Sequence, residues 1–346
     1  MKILINGTSG RIGRAVSYEL IKSDIIPAAL NDPVGIEKIV DSLSGNDAVH
    51  GKFNWQINKI NANEIEINGK KIKVYAEKSL DKIPFRDLGV SIVEECSGLY
   101  GNDKTSPDEI KAREFLSHGV KKIIMSYPAT GAGVVTLVAG VNLEAYDSEL
   151  YWGISNGSCT TKALVAPLQV LRDYGLKVQA LLMDTVHAAT NTQSILESLN
   201  QISTHKTGAA KATGEIIPEL KGKMDGLSFR VPTLDGSFAN LYFVADSEKD
   251  NLSARDINQV LREESSNQKY MGRLAVFEGK EAGTSYDIVG RTENAIVILD
   301  KTRVLKLPYK TDSKTSYLIG IVSGYDNERG PPRDQVLVTK HIIERG

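Results

Sequence analysis

The chain has 346 residues, enough for two domains that each bury a core. It is 41% hydrophobic and 25% charged, and its 42 basic and 43 acidic side chains leave a formal net charge of -1. With no basic stripe and no apolar run of membrane-spanning length, this composition speaks against nucleic-acid binding, membrane-surface binding and a helical membrane protein. Two cysteines, Cys96 and Cys159, cannot build a disulfide framework, which suggests a reducing compartment. The opening apolar run, residues 1–6, is too short for a secretory signal, so the expected location is the cytoplasm.

Residues 2–6 read as a buried strand and residues 11–22 as an amphipathic helix. Between them lie Gly7, Gly10 and Gly13 at a Gly-x-x-Gly-x-x-Gly spacing, one residue longer than the usual dinucleotide fingerprint. Glycines there permit a tight turn and a close backbone approach to a pyrophosphate seated on the helix N-terminus, at Gly10, Arg11 and Ile12. A second strand, residues 25–30, leads to Asp32, where a carboxylate would bind ribose hydroxyls and repel the extra phosphate of NADP. The strand, glycines, helix, strand and aspartate in this order predict an NAD site.

Residues 64–75 predict a hairpin about Asn68-Gly69. Residues 90–96 and 122–126 read as further parallel strands, with a helix over 106–118 between them. This half is therefore an α/β sheet with an antiparallel addition. Cys96 reads as a small buried hydrophobe.

Residues 150–154 predict a strand, and residues 161–171 carry apolar side chains at helical spacing. Cys159 falls between them, at a helix N-terminus. Unpaired N–H groups and the helix dipole there are expected to lower its pKa and favour the thiolate. Ser158, Thr160 and Thr161 with the same N–H groups would form an anion pocket.

With these pieces placed, the chain resembles the glyceraldehyde-3-phosphate dehydrogenase family almost end to end. The matching strings include Gly10 to Arg14, Asn31-Asp32-Pro33, residues 155–161, Thr185-Val186-His187, Thr207 to Lys211, Phe229 to Thr233 and Tyr325 to Glu328. The resemblance implies a Rossmann-type NAD-binding domain over 1–157, with the last helix, 332–346, packing back on it. It also implies an α+β catalytic domain with a mostly antiparallel sheet over 158–331. Cys159 would be the nucleophile and His187 the general base, oxidising an aldehyde through a thioester that inorganic phosphate cleaves. One phosphate site would use Ser158, Thr160, Thr207 and Gly208, and a second Thr190 and Arg230. Lys78, Ser97, Gly98 and Ser126 would line the adenine and ribose path, and Asn327 would orient the nicotinamide amide. A homo-oligomer is implied, a tetramer with a dimer as the alternative.

The chain departs from the family pattern at four places. The glycine loop has its extra residue. Lys162 replaces the usual asparagine and reads as a solvated side chain, with a charge near the site as the alternative. The segment between His187 and Thr207 is short and contains no arginine, Thr192 stands where many members have aspartate, and His205 or Lys206 are candidates for the missing cation. Residues 326–332 lack the aromatic side chains that flank the family's motif. Residues 77–82 and 98–101 resemble the erythrose 4-phosphate branch, while Thr207 to Lys211 resembles the glyceraldehyde branch more closely. Glyceraldehyde 3-phosphate is the expected substrate, with another phosphorylated or anionic aldehyde such as erythrose 4-phosphate as the alternative.

Overall fold

The structure is a computed structural model that describes residues 1–45, 47–102, 109–189, 199–279, 283–311 and 313–346. The chain forms two compact units, Met1–Gly157 with Pro332–Gly346, and Ser158–Pro331.

The first unit is built on a nine-stranded sheet ordered β3-β4-β5-β2-β1-β6-β7-β9-β8. Its central strands are β1 (Lys2–Asn6), β2 (Ala29–Asn31), β6 (Val90–Glu95) and β7 (Lys122–Met125), all parallel. The remainder are β3 (Ile57–Asn61), β4 (Glu64–Ile67), β5 (Lys70–Tyr75), β8 (Val134–Thr136) and β9 (Gly153–Ser155). Alternation along β1 explains why both faces are covered: Ile3 and Ile5 enter one apolar cluster and Leu4 the other. The first cluster also takes Val336, Val338 and Ile342 of the last helix, Gly330–Arg345. Pro331 and Pro332 occupy that helix's first turn, where a missing N–H costs nothing. This is a Rossmann-like sheet, with the β4–β5 hairpin added through Asn68 (φ 49°) and Gly69 (φ 78°), as the Asn-Gly pair predicts.

Three elements differ from the sequence reading. The second strand is only Ala29–Asn31, because Pro27 lacks an N–H for the ladder. The strand expected over 150–154 is Gly153–Ser155. Of the helix expected over 106–118, residues 106–108 lie outside the described residues, and the rest is a 3₁₀ turn, Lys111–Arg113, followed by Glu114–Ser117. Ile110 is extended there and bridges to Asn102, which prevents an earlier helical start.

The second unit has a mostly antiparallel sheet ordered β11-β12-β10-β13-β17-β15-β14, with β16 also on β17. These are β10 (Lys177–Ala188), β11 (Ser203–Lys206), β12 (Met224–Val231), β13 (Ser237–Ser247), β14 (Leu274–Phe277), β15 (Ala295–Ile298), β16 (Arg303–Thr311) and β17 (Lys314–Tyr325). The helix Cys159–Asp173 packs against β10, β13, β15 and β17. Every residue from Thr160 to Leu171 is buried, which offsets the helix-breaking cost of Pro167, about 3 kcal/mol. The opposite sheet face carries the short helix Ser285–Ile288 at one end, where Ile288 meets Phe238, and elsewhere exposes Leu182, Tyr242, Leu305 and Leu318, neighbours by strand register.

Candidate active site

In the first unit the three glycines do different work. Gly7 takes φ +82°, and a Cβ there would lie 2.5 Å from the Ser97 nitrogen. A Cβ on Gly13 would lie 2.0 Å from the Gly7 carbonyl oxygen, so the helix can seat on the turn only without one. Gly10 is the N-cap of the helix Arg11–Lys22 and meets nothing closer than 3.4 Å, and no side chain caps that end. An uncapped helix start beside bare glycine backbone is a cradle for a pyrophosphate, so these residues fit a dinucleotide.

Asp32 follows β2 as expected and is buried. Ser9, within the lengthened glycine loop, donates its backbone N–H to Asp32 Oδ2 at 3.0 Å and its hydroxyl to the same oxygen. Sequence reasoning found Asp32 but missed what orders its surroundings. Asn31 Nδ2 donates to Asn6 Oδ1 (2.7 Å) and Asn6 Nδ2 to Glu95 Oε2 (2.6 Å). Ser97 donates to Glu95 Oε1 through its N–H (2.8 Å) and its hydroxyl (2.5 Å). Burial pushes the Glu95 carboxyl up, and these donors oppose it. The chain of bonds ties the ends of β2, β1 and β6 together and reaches Ser97. Its signal was present in the sequence: each of those apolar strands ends on Asn or Glu. Ser126 N–H donates to the Glu95 carbonyl (3.0 Å), and Lys78 is exposed in the loop after β5.

Cys96 keeps its unreactive reading, since burial and the neighbouring Glu94 and Glu95 push its thiol well up. His118 lies against Phe85 and His341 against Tyr146, consistent with structural roles.

In the second unit Cys159 is the first residue of its helix. Ser158 is the N-cap: its Oγ accepts from Thr161 N at 3.0 Å, a contact typically worth about 1 kcal/mol. His187 sits near the end of β10 on the face toward that helix, only 4% exposed. Its Nε2 lies 3.4 Å from Cys159 Sγ. Residues 28 apart in the chain thus form a thiol–imidazole pair.

Packing works against the expected thiolate. Burial pushes the Cys159 thiol up to about 11 and the His187 imidazole down to about 4. Thr160 donors and Arg230 act on the thiol in the opposite direction, as the helix start predicts, but burial outweighs them. Burial thus works against charge on either partner.

Around the pair, Thr160 Oγ1 and the fully buried Tyr325 hydroxyl are 2.9 Å apart, so the Thr160 hydroxyl is turned into the protein. The Tyr325 ring lies 5.9 Å from that of His187. Ala188 N–H donates to Ser237 Oγ (3.0 Å), which donates to Asn327 Oδ1 (2.6 Å), and Asn327 N–H donates to Asp235 Oδ1 (2.9 Å). Ser237 and Asp235 carry no recognisable motif of their own and were missed.

Arg230 is the register partner of His187 across the parallel β10–β12 pair. Its Nη1 meets His187 Nδ1 and donates to the Ala188 carbonyl at 3.2 Å. Thr207 Oγ1 accepts from Ala209 N at 3.2 Å, and Gly208 caps the helix Ala209–Ile216. Thr190 and Thr192 lie outside the described residues. On β11, Ser203 pairs with Arg230 and His205 with Ser228, which puts His205 on the sheet face of His187 and Lys206 on the other. Lys162 is not solvated: it is 1% exposed and engaged with a partner. Thr160 to Leu171 are all buried, so this helix leaves no face for a solvated lysine.

Residues 1–103 match the family profile described as "Glyceraldehyde 3-phosphate dehydrogenase, NAD binding domain", and residues 158–327 that of its "C-terminal domain". The glyceraldehyde-3-phosphate dehydrogenase of Geobacillus stearothermophilus is 34% identical over 358 aligned positions, covering 100% of this chain and 99% of that protein. Those of Xanthobacter flavus and Phanerodontia chrysosporium are 35% and 36% identical, each over at least 95% of both chains. With a glycine cradle that fits NAD and a cysteine–histidine pair, this chain belongs to the glyceraldehyde-3-phosphate dehydrogenase family and is an NAD-dependent oxidoreductase acting on an aldehyde.

Proposed function

We propose that the chain is a phosphorylating aldehyde dehydrogenase whose substrate is glyceraldehyde 3-phosphate. The observation that carries this reading is the 3.4 Å approach of Cys159 Sγ to His187 Nε2 at the start of a buried helix. In this reading residues 1–157 and 332–346 hold NAD, and residues 158–331 perform the chemistry. Gly10, Arg11 and Ile12 offer the helix start to the pyrophosphate, and Asp32 takes the ribose hydroxyls. Lys78, Ser97, Gly98 and Ser126 border the adenosine, and Asn327, held through its Oδ1 by Ser237, addresses the nicotinamide amide.

Cys159 Sγ bonds to the aldehyde carbon while its proton passes to neutral His187 Nε2. The backbone N–H of Cys159 and the new imidazolium stabilise the resulting oxyanion. Bound NAD supplies the hydride acceptor that turns this adduct into a thioester. Inorganic phosphate then attacks the thioester carbon, the C–S bond breaks, an acyl phosphate leaves and sulfur is restored. Ser158, Thr160, Thr207 and Gly208 serve one phosphate position, and Thr190 and Arg230 the other.

A second reading keeps this chemistry and changes the aldehyde to another anionic one, such as erythrose 4-phosphate. It is favoured by the absence of arginine between His187 and Thr207 and by the Thr160 hydroxyl already facing Tyr325. A panel of phosphorylated aldehydes, each with NAD and with or without inorganic phosphate, decides. Glyceraldehyde 3-phosphate should give the highest phosphate-dependent kcat/KM; a higher value with another aldehyde selects the second reading, and phosphate-independent turnover rejects both.

We also place the protein in the cytoplasm and expect a homo-oligomer, tetramer ahead of dimer. No described helix is long and apolar enough to cross a membrane. The uncovered apolar face of the second sheet supports self-association.

A further inference from the structure

We propose that Arg230 decides which ring nitrogen of His187 carries the proton, and that an anion taken up by Arg230 moves that proton to the nitrogen that makes His187 a base toward Cys159. The proposal rests on the reading of Arg230 as a phosphate ligand and adds a function to it.

Two groups meet His187 Nδ1. One is the Ala188 carbonyl oxygen at 2.8 Å, which can only accept; the other is Arg230 Nη1, which can only donate. Both donors also compete for one acceptor, because Arg230 Nη1 lies 3.2 Å from the same carbonyl. A single ring nitrogen cannot satisfy both neighbours. If Nδ1 is bare, it accepts from Arg230 and the proton sits on Nε2, facing sulfur. That tautomer has no lone pair at Nε2 and cannot take the thiol proton. If Nδ1 is protonated, it donates to Ala188, and Nε2 is the base. The bond made at one ring nitrogen sets the state of the other.

Arg230 has reason to leave. Its Nε is buried with no hydrogen-bond partner among the described residues, so the guanidinium fork is only partly used there. A phosphate accepting from Nε and one Nη would complete the fork in the bidentate geometry arginine prefers, and would draw Nη1 off the ring. The carbonyl that then takes the Nδ1 proton is fixed, since the Ala188 N–H is held by Ser237 Oγ. The other described groups on the pair do not supply this control. Tyr325 presents its ring to His187 and its hydroxyl to Thr160, and Asp235 acts on Cys159 in the direction opposite to Arg230. The Arg230 charge also holds the imidazole down, and a bound phosphate would relieve that. Substrate phosphate would thus switch on the base only when a substrate is present.

The chain has five histidines, so ¹⁵N-histidine labelling with a His187→Asn control isolates the His187 signals. In anion-free wild type the protonated ring nitrogen should be Nε2. Saturating inorganic phosphate should shift the proton to Nδ1. In Arg230→Gln the proton should already be on Nδ1 and phosphate should change nothing; Arg230→Lys, which keeps the charge without the fork, serves if Arg230→Gln does not fold. A proton on Nδ1 in anion-free wild type overturns the proposal, as does an unchanged tautomer with phosphate or a phosphate response that survives in the variants. Phosphate-dependent turnover with an unchanged tautomer rejects the coupling alone. Loss of phosphate-dependent turnover in wild type rejects the functional reading beneath it.

Discussion

The chemistry of this chain depends on how burial treats single residues. Cys159→Ala should abolish aldehyde oxidation while NAD binding persists, measured by turnover and by a binding titration, because no other group can form the covalent adduct. His187→Asn should lower kcat by about 10² to 10⁴. His187 also carries a stability signature. Its folded value, about 4, lies below the ordinary 6.5, so the unfolded chain binds more protons between these values. The stability tied to it is full above pH 6.5 and is lost as pH falls through about 4. Urea unfolding across this range should show wild type losing more stability on acidification than His187→Asn. Equal acid sensitivity would mean the imidazole is not held neutral. At the cofactor site, Asp32→Ala should cost about 1.5–3 kcal/mol of NAD affinity and narrow the preference over NADP. Wild type using NADP as well as NAD would show that Ser9, already on the Asp32 carboxylate, rather than the ribose, is its main partner.

At the scale of elements, the last helix is held to the sheet by one carboxyl as well as by apolar packing. Glu94, fully buried on β6, accepts from Gln335 Nε2 and Thr339 Oγ1, each at 2.6 Å. Burial pushes it up to about 7 from the ordinary 4.5. The folded chain therefore binds the proton more tightly, and stability present below pH 4.5 is lost as pH rises through about 7. The loss amounts to roughly 3 kcal/mol by this shift. Glu94→Gln cannot ionise, so its unfolding free energy should change less than that of wild type between pH 5 and 8. Parallel pH dependences would place the sensitivity elsewhere. Amide exchange in Gly330–Arg345 should report the same difference locally.

For the whole molecule, the uncovered sheet face makes self-association testable. Leu182 on β10 and Tyr242 on β13 are register partners, 65% and 51% exposed. Leu305 and Leu318 continue the patch on β16 and β17. Wild type should sediment as a tetramer or dimer at micromolar concentration, and Leu182→Glu with Tyr242→Glu should reduce the assembly size while each unit stays folded. A monomeric wild type would remove the assembly from the proposal. An unchanged size in the double variant would place the interface on another surface.

The amino-acid sequence by itself determined whatever depends on neighbours along the chain. The glycine turn between β1 and its helix, the Asn68-Gly69 hairpin and the placement of Cys159 at a helix start all follow from backbone preferences and periodicity over a dozen residues or fewer. Motif order added the family and its cofactor. Tertiary structure alone decided the quantities that depend on distance and dielectric. Lys162 looked solvated from its charge, yet packing buries it. Cys159 looked like a thiolate from its position at the dipole, but packing pushes its thiol up and the His187 imidazole down. The contact of Arg230 with His187 crosses 43 residues and exists because β10 and β12 run parallel in one register. Sequence spacing carries no information about such a register, because it is selected by the packing of both sheet faces at once.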